Sequence, residues 1–224
     1  EVPELIAQLK KLNNVKVKAL FSHLAASDVP GEDKFTQLQI ERFNRVSKQI
    51  AEALGYTPLR HMVNSSGIER FPEAHFDMVR LGIGLHGISA KKEKLKAVST
   101  LKSTIVQIKK LGKGESVGYN RREILTKDSL IAILPIGYAD GLDRKLGNRN
   151  GSVLINNRKA PYIGDICMDL CMIDITDIPA QEGDQVIVFG AKNPIGKIAE
   201  QVNTIPYEIL TSVSTRVKRI YINE

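Results

Sequence analysis

No apolar run in this 224-residue chain approaches the ~20 residues that a membrane-spanning helix needs, so no membrane association is expected. Cysteine is scarce. Cys167 and Cys171 are the only two, four positions apart with no second pair. That spacing argues against zinc and against a disulfide scaffold, so no metal site and a reducing, cytoplasmic setting are expected. Aromatic residues are only 5% of the chain and no nucleic-acid recognition motif is present. The formal charge of +7 would suit an anionic polymer, yet the cations are scattered, in short pairs such as Lys10-Lys11, Lys91-Lys92 and Arg121-Arg122. No nucleic-acid partner is expected. Low-complexity sequence is absent as well. The start, Glu1-Val2-Pro3, is neither an initiator methionine nor a signal peptide, which suggests a chain cut from a longer polypeptide. What is present is ordinary for a soluble globular protein: 42% hydrophobic and 25% charged residues, enough for one large domain or two modest ones.

The first ninety residues alternate between β and α character. Val15 to Phe21 alternates like a strand and stops at the polar Ser22-His23. After Pro30-Gly31, the residues Phe35, Leu38, Phe43, Val46, Ile50 and Leu54 recur at helical spacing, with Gly55 placed to end the helix. Leu59 to Val63 predicts a second strand, halted by Asn64-Ser65-Ser66-Gly67, and Phe76 to Leu81 a third, running into Gly82-Ile83-Gly84. Each strand delivers polar or glycine residues at its C-terminal end, which is where parallel β/α barrels carry their chemistry. Three strands do not close an eight-stranded barrel, so the remainder is expected upstream of residue 1. From about residue 93 the texture turns to β. Strands are predicted over Ser103 to Lys109, Leu130 to Ile136, Ser152 to Ile155, Leu170 to Ile175, Gln185 to Phe189 and Arg216 to Ile222, with helical stretches at Ile195 to Val202 and around Tyr207 to Val213. The fold class read from this pattern is α/β plus β. Residues 1–92 form the C-terminal part of a β/α (TIM-type) barrel, and residues 93–224 a mostly β C-terminal domain.

Several stretches taken in order carry a resemblance. They are Phe21-Ser-His-Leu-Ala-Ala-Ser-Asp28, Asn64-Ser65 and Val79-Arg-Leu-Gly-Ile-Gly-Leu-His-Gly87. In the second half come Val117-Gly-Tyr-Asn120, Leu134-Pro-Ile-Gly-Tyr-Ala-Asp-Gly141, Gly164-Asp-Ile-Cys-Met-Asp169 and Pro206-Tyr-Glu208. Each alone is weak, but the ordered set resembles bacterial alanine racemase over nearly the whole chain. That resemblance implies pyridoxal 5'-phosphate as cofactor, alanine as substrate, D-alanine for peptidoglycan as product, and a homodimer whose active sites are shared between subunits.

The resemblance also implies roles. Tyr119 is the catalytic base, meeting His23 of the partner subunit, which in turn contacts Arg80. A phenol with an ordinary pKa near ~10 is a poor base at neutral pH, and a cationic neighbour favours the phenolate. His23 lies against the cofactor ring, and Arg80 faces the pyridine nitrogen where most enzymes of this cofactor set a carboxylate. An arginine leaves that nitrogen unprotonated and the electron sink weak, which suits exchange of an α-proton alone. The phosphate is taken by the Ser65 hydroxyl, the N–H groups of Gly82 and Ile83, and the Tyr207 phenol. Met168, through its N–H, with Asp169 and Tyr138, faces the substrate. Asp28 and Arg144, with Asp140, line the corridor leading to the site. Cys167 and Cys171 are bystanders. One departure stands out: related sequences often carry a basic residue after Gly164, whereas this chain has Asp165, a reversed charge expected to alter electrostatic steering of an anionic substrate.

The family's Schiff-base lysine sits in a run ending Ala-Tyr-Gly, and no such run exists here; Lys18-Ala19 continues as Leu20-Phe21. The chain alone is therefore expected to form no covalent imine with the cofactor and to racemise nothing. The parent could be a fusion with a cell-wall ligase. Alternative readings are a racemase for serine or lysine, or a non-catalytic dimerisation module.

Overall fold

The computed structural model describes residues 1–91 and 95–222. The chain divides into two compact units between Lys96 and Ala97. The boundary expected between 92 and 93 falls on residues outside those described.

The first unit holds helix α1 (Val2–Leu9), strand β1 (Ala19–Phe21), helix α2 (Asp33–Leu54), strand β2 (Leu59–His61) and helix α3 (Ser65–Arg70). β1 and β2 pair in parallel, Leu20 opposite Arg60, as a βαβ crossover through α2 requires. Gly55 ends α2 in the left-handed conformation at φ 75°, its N–H bonded to Ala51 O, where the sequence places the stop. The buried stripe of α2 is Thr36, Ile40, Ser47 and Ile50, while Phe35 and Leu38 are exposed. The helix face is thus rotated from the apolar periodicity. Leu24, Ile40, Met62, Val63, Phe71 and Ala74 form the core of this unit.

Two sequence-based elements change here. The run Phe76 to Leu81 is not a laddered strand. Phe76 sits at φ 49°, and the segment meets the β2 region through Asp77 N–Arg60 O at 3.0 Å, Arg80 N–Val63 O at 3.1 Å and a bridge between His61 and Met78. The positive φ breaks the extended run at its first residue. The Asn64–Gly67 stop, in turn, begins α3: Asn64 Oδ1 accepts the Gly67 N–H at 2.9 Å, a side-chain cap of the helix N-terminus.

The second unit is mostly β, with strands β3 (Leu101–Thr104), β4 (Gln107–Leu111), β5 (Ser116–Val117), β6 (Glu123–Ile124), β7 (Ser129–Leu134), β8 (Ser152–Ile155), β9 (Arg158–Pro161), β10 (Cys171–Asp174) and β11 (Gln185–Phe189), then helices α4 (Ile195–Val202) and α5 (Pro206–Ser212). One sheet runs β10-β7-β4, another β3-β11-β8-β9, and β5 pairs with β6. Its core joins both larger sheets and the two helices, through Ile105, Leu134, Val153, Tyr162, Ile173, Val186, Ile198 and Ile209 among others. The run Ser103 to Lys109 is two strands. At Ile105 and Val106 the chain leaves β11 for β7, with Ile105 N bonded to Asp184 O and Val106 N to Ile133 O. The inward positions change phase at the crossing, from Leu101, Ser103 and Ile105 to Ile108, and the adjacent apolar pair Ile105-Val106 is the local trace of it. Arg216 to Ile222 forms no strand: Ile220, Tyr221 and Ile222 are exposed and the stretch has no ladder partner. Among the described residues no helix is long and apolar enough to cross a membrane.

Candidate active site

In the first unit the ends of β1, of β2 and of the 76–81 segment meet at Arg80. Its Nη2 donates to Ser22 O at 2.6 Å and to Met62 O at 2.8 Å, and lies 3.2 Å from His23 Nδ1. The guanidinium also sits 5.6 Å from the Phe21 ring centre. Its Nε is buried and has no hydrogen-bond partner among the described residues. His23 is exposed, and its loop is pinned by Gln39 of α2, which donates to His23 O at 3.2 Å and accepts from Ala25 N at 3.0 Å.

Close by, the Ser65 Oγ accepts both the Gly82 N–H at 2.9 Å and the Gly84 N–H at 3.1 Å. Two N–H groups occupy the oxygen's lone pairs, so the hydroxyl proton is left to donate. The Gly82 N–H is thereby engaged within the chain. Ile83 opens a single 3-10 turn, Ile83–His86, so its N–H has no intrahelical acceptor. The structure thus brings together His23 with Arg80, and Ser65 with Gly82 and Ile83. Asp28 stands exposed on the loop after β1, apart from both groups of bonds.

In the second unit three loops gather. The first carries Tyr119, a residue 68% exposed in a turn with Asn120 and Arg121 both at positive φ. It abuts the second, residues 164–169: a Cβ on Gly118 would lie 3.3 Å from Asp165 N and one on Gly164 only 2.9 Å from Val117 O. The third is the turn holding Tyr138 and Asp140. Tyr138 N bonds to Cys167 O and Ala139 N to Met168 O, each at 3.0 Å, and a Cβ on Gly137 would be 2.3 Å from both carbonyl oxygens. No side chain fits between these two loops. The Met168 carbonyl is tied, and none of these bonds uses the Met168 N–H.

Asp165 is buried. Its Oδ1 accepts from Asn148 Nδ2 at 2.8 Å and lies 3.7 Å from Arg122 Nη1, while Oδ2 lies 4.0 Å from Arg144 Nη2. Both arginine side chains are more than 60% exposed, so the charge presented to solvent at this point is theirs rather than the carboxylate's. Burial, and then the Asp165 charge, push the Cys167 thiol up; burial pushes Cys171 up further. Neither is a thiolate near neutrality. Tyr207 lies in the first turn of α5, its carbonyl accepting from Thr211 Oγ1.

Some functional neighbours escaped the sequence reading. Gln39, Asn148, Arg122 and Arg216 each hold a loop that carries a candidate residue, but they come from distant parts of the chain. Only contact reveals them.

A β/α unit with an arginine–histidine pair at its strand ends, followed by a β unit with exposed tyrosine and methionine loops, defines a barrel-plus-β enzyme architecture. The family model "Alanine racemase, N-terminal domain" matches residues 1–90, and "Alanine racemase, C-terminal domain" matches 98–221. The chain belongs to the alanine racemase family. Alanine racemase 1 of Clostridium acetobutylicum is 39% identical over 97% of this chain and 58% of its own length; the Helicobacter pylori J99 enzyme is 38% identical over 98% and 62%. Among solved structures, the Bartonella henselae alanine racemase with covalently bound pyridoxal phosphate superposes with a TM-score of 0.90 at 35% identity, over 99% of this chain and 61% of that one. The Streptomyces coelicolor alanine racemase gives 0.91 at 29%, over 100% and 61%. The chain spans about three fifths of the length of the curated relatives it matches.

Proposed function

We propose that this chain is part of a pyridoxal-phosphate-dependent alanine racemase, interconverting L- and D-alanine in the cytoplasm to supply peptidoglycan synthesis. One observation carries the reading. The Arg80 guanidinium, fixed by Ser22 O and Met62 O beside His23, keeps a buried Nε–H without a partner among the described residues. A buried donor left unmatched costs about 1–3 kcal/mol, so an acceptor from outside the chain belongs there. A guanidinium only donates and keeps its proton, so it suits a neutral ring nitrogen and not a pyridinium. The residues fit pyridoxal phosphate on that ground.

When bound, the cofactor withdraws electrons from the substrate's α-carbon and lowers the cost of releasing its proton. Arg80 keeps that withdrawal weak by denying the ring nitrogen a proton, which favours proton exchange over loss of the carboxylate. The Ser65 hydroxyl, the Ile83 N–H and the Tyr207 phenol would hold the phosphate, and the Gly82 N–H would join them by giving up its bond to Ser65 Oγ. The Met168 N–H, with Asp169 and Tyr138 beside it, would orient the substrate carboxylate; Asp28 and Arg144 would line the approach. Tyr119 takes and returns the α-proton, with His23 of the partner subunit tuning the phenol in a homodimer. The exposure of Tyr119 supports that assignment, since its hydroxyl is left available to another surface. The opposite face needs a lysine from the Lys-Ala-x-Ala-Tyr-Gly run, which this sequence does not contain.

The test is racemisation of L-alanine, L-serine and L-lysine by the native polypeptide that carries this chain, loaded with cofactor. Alanine should be preferred, and Tyr119→Phe should lower kcat by about 10²–10⁴-fold, the value of a positioned base. Cofactor binding without racemisation of any of the three refutes the reading. The 224-residue chain alone, given pyridoxal phosphate, should yield no borohydride-trappable lysine adduct. Sedimentation of the native polypeptide should give a dimer.

A further inference from the structure

Arg216 lies in the stretch that the sequence pattern assigns to a strand, yet it is the residue through which two of the site loops are keyed together. Its Nε donates to Asp140 Oδ1 at 2.7 Å and its Nη2 to Asp169 Oδ1 at 2.6 Å. The base of this fork is firmly held. Asp140 Oδ2 accepts the Gly137 N–H at 2.8 Å, and Asp140 O accepts the Ser214 N–H at 3.1 Å. A Cβ on Gly141 would lie 2.3 Å from Ser212 O, so the 137–141 turn and the segment after α5 are in backbone contact.

The far end of the fork is different. The 167–170 turn is attached to the 137–141 turn only on its carbonyl side, by Cys167 O and Met168 O. Its other side, at Asp169, is exposed and is held by Arg216. The turn is closed on itself by Cys167 N–Leu170 O at 2.9 Å, so it moves as a unit: two bonds on one edge leave its tip free to rock about that edge, and a third contact across it removes the freedom. The Met168 N–H shares a trans peptide unit with Cys167 O and so points away from the bonded edge, and rocking about that edge would swing it.

We propose that Arg216 is a positioning residue: by clamping Asp169 to the 137–141 turn it fixes the direction of the Met168 N–H, and so sets the affinity for an amino acid's carboxylate. This rests on the racemase reading above. Arg216 touches neither substrate nor cofactor on this view; it acts through Asp169. A planar fork reaching two carboxylates at once is specific to arginine, and a lysine reaches one at a time.

The experiment compares Arg216→Gln, Arg216→Lys and Asp169→Asn in the native, cofactor-loaded polypeptide, by steady-state kinetics and by amide hydrogen exchange. Because the fork is half exposed, the effect should be that of a partly screened pair. Arg216→Gln should raise KM for alanine by about three- to tenfold, with kcat within about twofold and exchange at the bonded amides of Tyr138, Ala139 and Cys167 accelerated. Asp169→Asn should do the same, Arg216→Lys should recover part of the loss, and the Gln/Asn double variant should be no worse than either single one. Unchanged KM and unchanged exchange overturn the proposal. So does a loss of kcat that tracks lowered thermal stability in all three variants, which would make the fork a general fold support. A wild-type protein that racemises nothing overturns the functional reading instead, and the exchange measurement then still accepts or rejects the clamp.

Discussion

Replacing Gly137 by alanine isolates the contact on which the second unit's site loops depend. The Gly137 backbone is extended, φ −145° and ψ −162°, a conformation any residue adopts, so the substitution carries no backbone penalty of its own. The difficulty is purely steric. The added methyl would stand 2.3 Å from Cys167 O, 2.3 Å from Met168 O and 2.5 Å from Met168 C, all main-chain atoms that have no rotamer to escape into. Ordinary contact would need the 167–168 backbone to withdraw by about 1 Å, breaking the Tyr138 N–Cys167 O and Ala139 N–Met168 O bonds. Overpacking of this kind costs about 1–3 kcal/mol, and two lost backbone hydrogen bonds add about 1 kcal/mol each. The expected destabilisation is therefore about 3–5 kcal/mol, or a fall of roughly 10–20 °C in the melting temperature of a unit this size. A 1 Å displacement of a substrate-orienting group also costs about 10²-fold in turnover in the native polypeptide. Urea unfolding followed by circular dichroism, with exchange at Tyr138 and Ala139, reads the first effect. Gly196→Ala, at a helical glycine with nothing within 4 Å, serves as control and should be neutral or stabilising. A Gly137→Ala protein within about 0.5 kcal/mol of wild type, with both amides still protected, would refute the reasoning.

Two further outcomes can be measured on the chain itself. Tyr162 is completely buried in the larger core and its hydroxyl has no hydrogen-bond partner among the described residues, burial holding the phenol far above its ordinary pKa. Tyr162→Phe should therefore raise stability by about 1–2 kcal/mol, and a loss of 1 kcal/mol or more in urea would show that the hydroxyl is satisfied after all. Acid should weaken the second unit through Asp140 and Asp174. Burial by itself would raise both carboxyls, but the Arg216 bond and Gly137 N–H at Asp140, and Thr176 with Arg149 at Asp174, outweigh it and hold both below the usual range. Their folded pKa values are thus depressed below an unfolded value near ~3.9, so their contribution is complete well above pH 4 and is lost as pH falls through the folded values. Urea midpoints should decline below about pH 4, and Arg149→Gln should move that decline to higher pH; midpoints level down to pH 2.5 would contradict the assignment.

The sequence by itself determined a great deal, and the physical reason is that much of this fold is written locally. Gly55 stops α2 because the left-handed backbone there favours glycine, and the short apolar runs over Ser152 to Ile155 and Gln185 to Phe189 report strands whose burial is nearly continuous. The ordered motifs around His23, Ser65, Arg80, Tyr119 and Met168 named the chemistry. Tertiary structure decided what depends on partners distant along the chain. Alternation slips by one residue at Ile105 and Val106, a trace that reads as one strand until the pairing shows a switch between sheets. The stretch from Arg216 to Ile222 reads as a strand but has no ladder partner among the described residues. Asp165 reads as a reversed charge on the path to the site, whereas burial against Asn148 and between Arg122 and Arg144 makes it an anchor for loops. Arg216 carries no local signal at all, because its meaning lies in Asp140, 76 residues away, and Asp169, 47 away, brought to two nitrogens of one guanidinium.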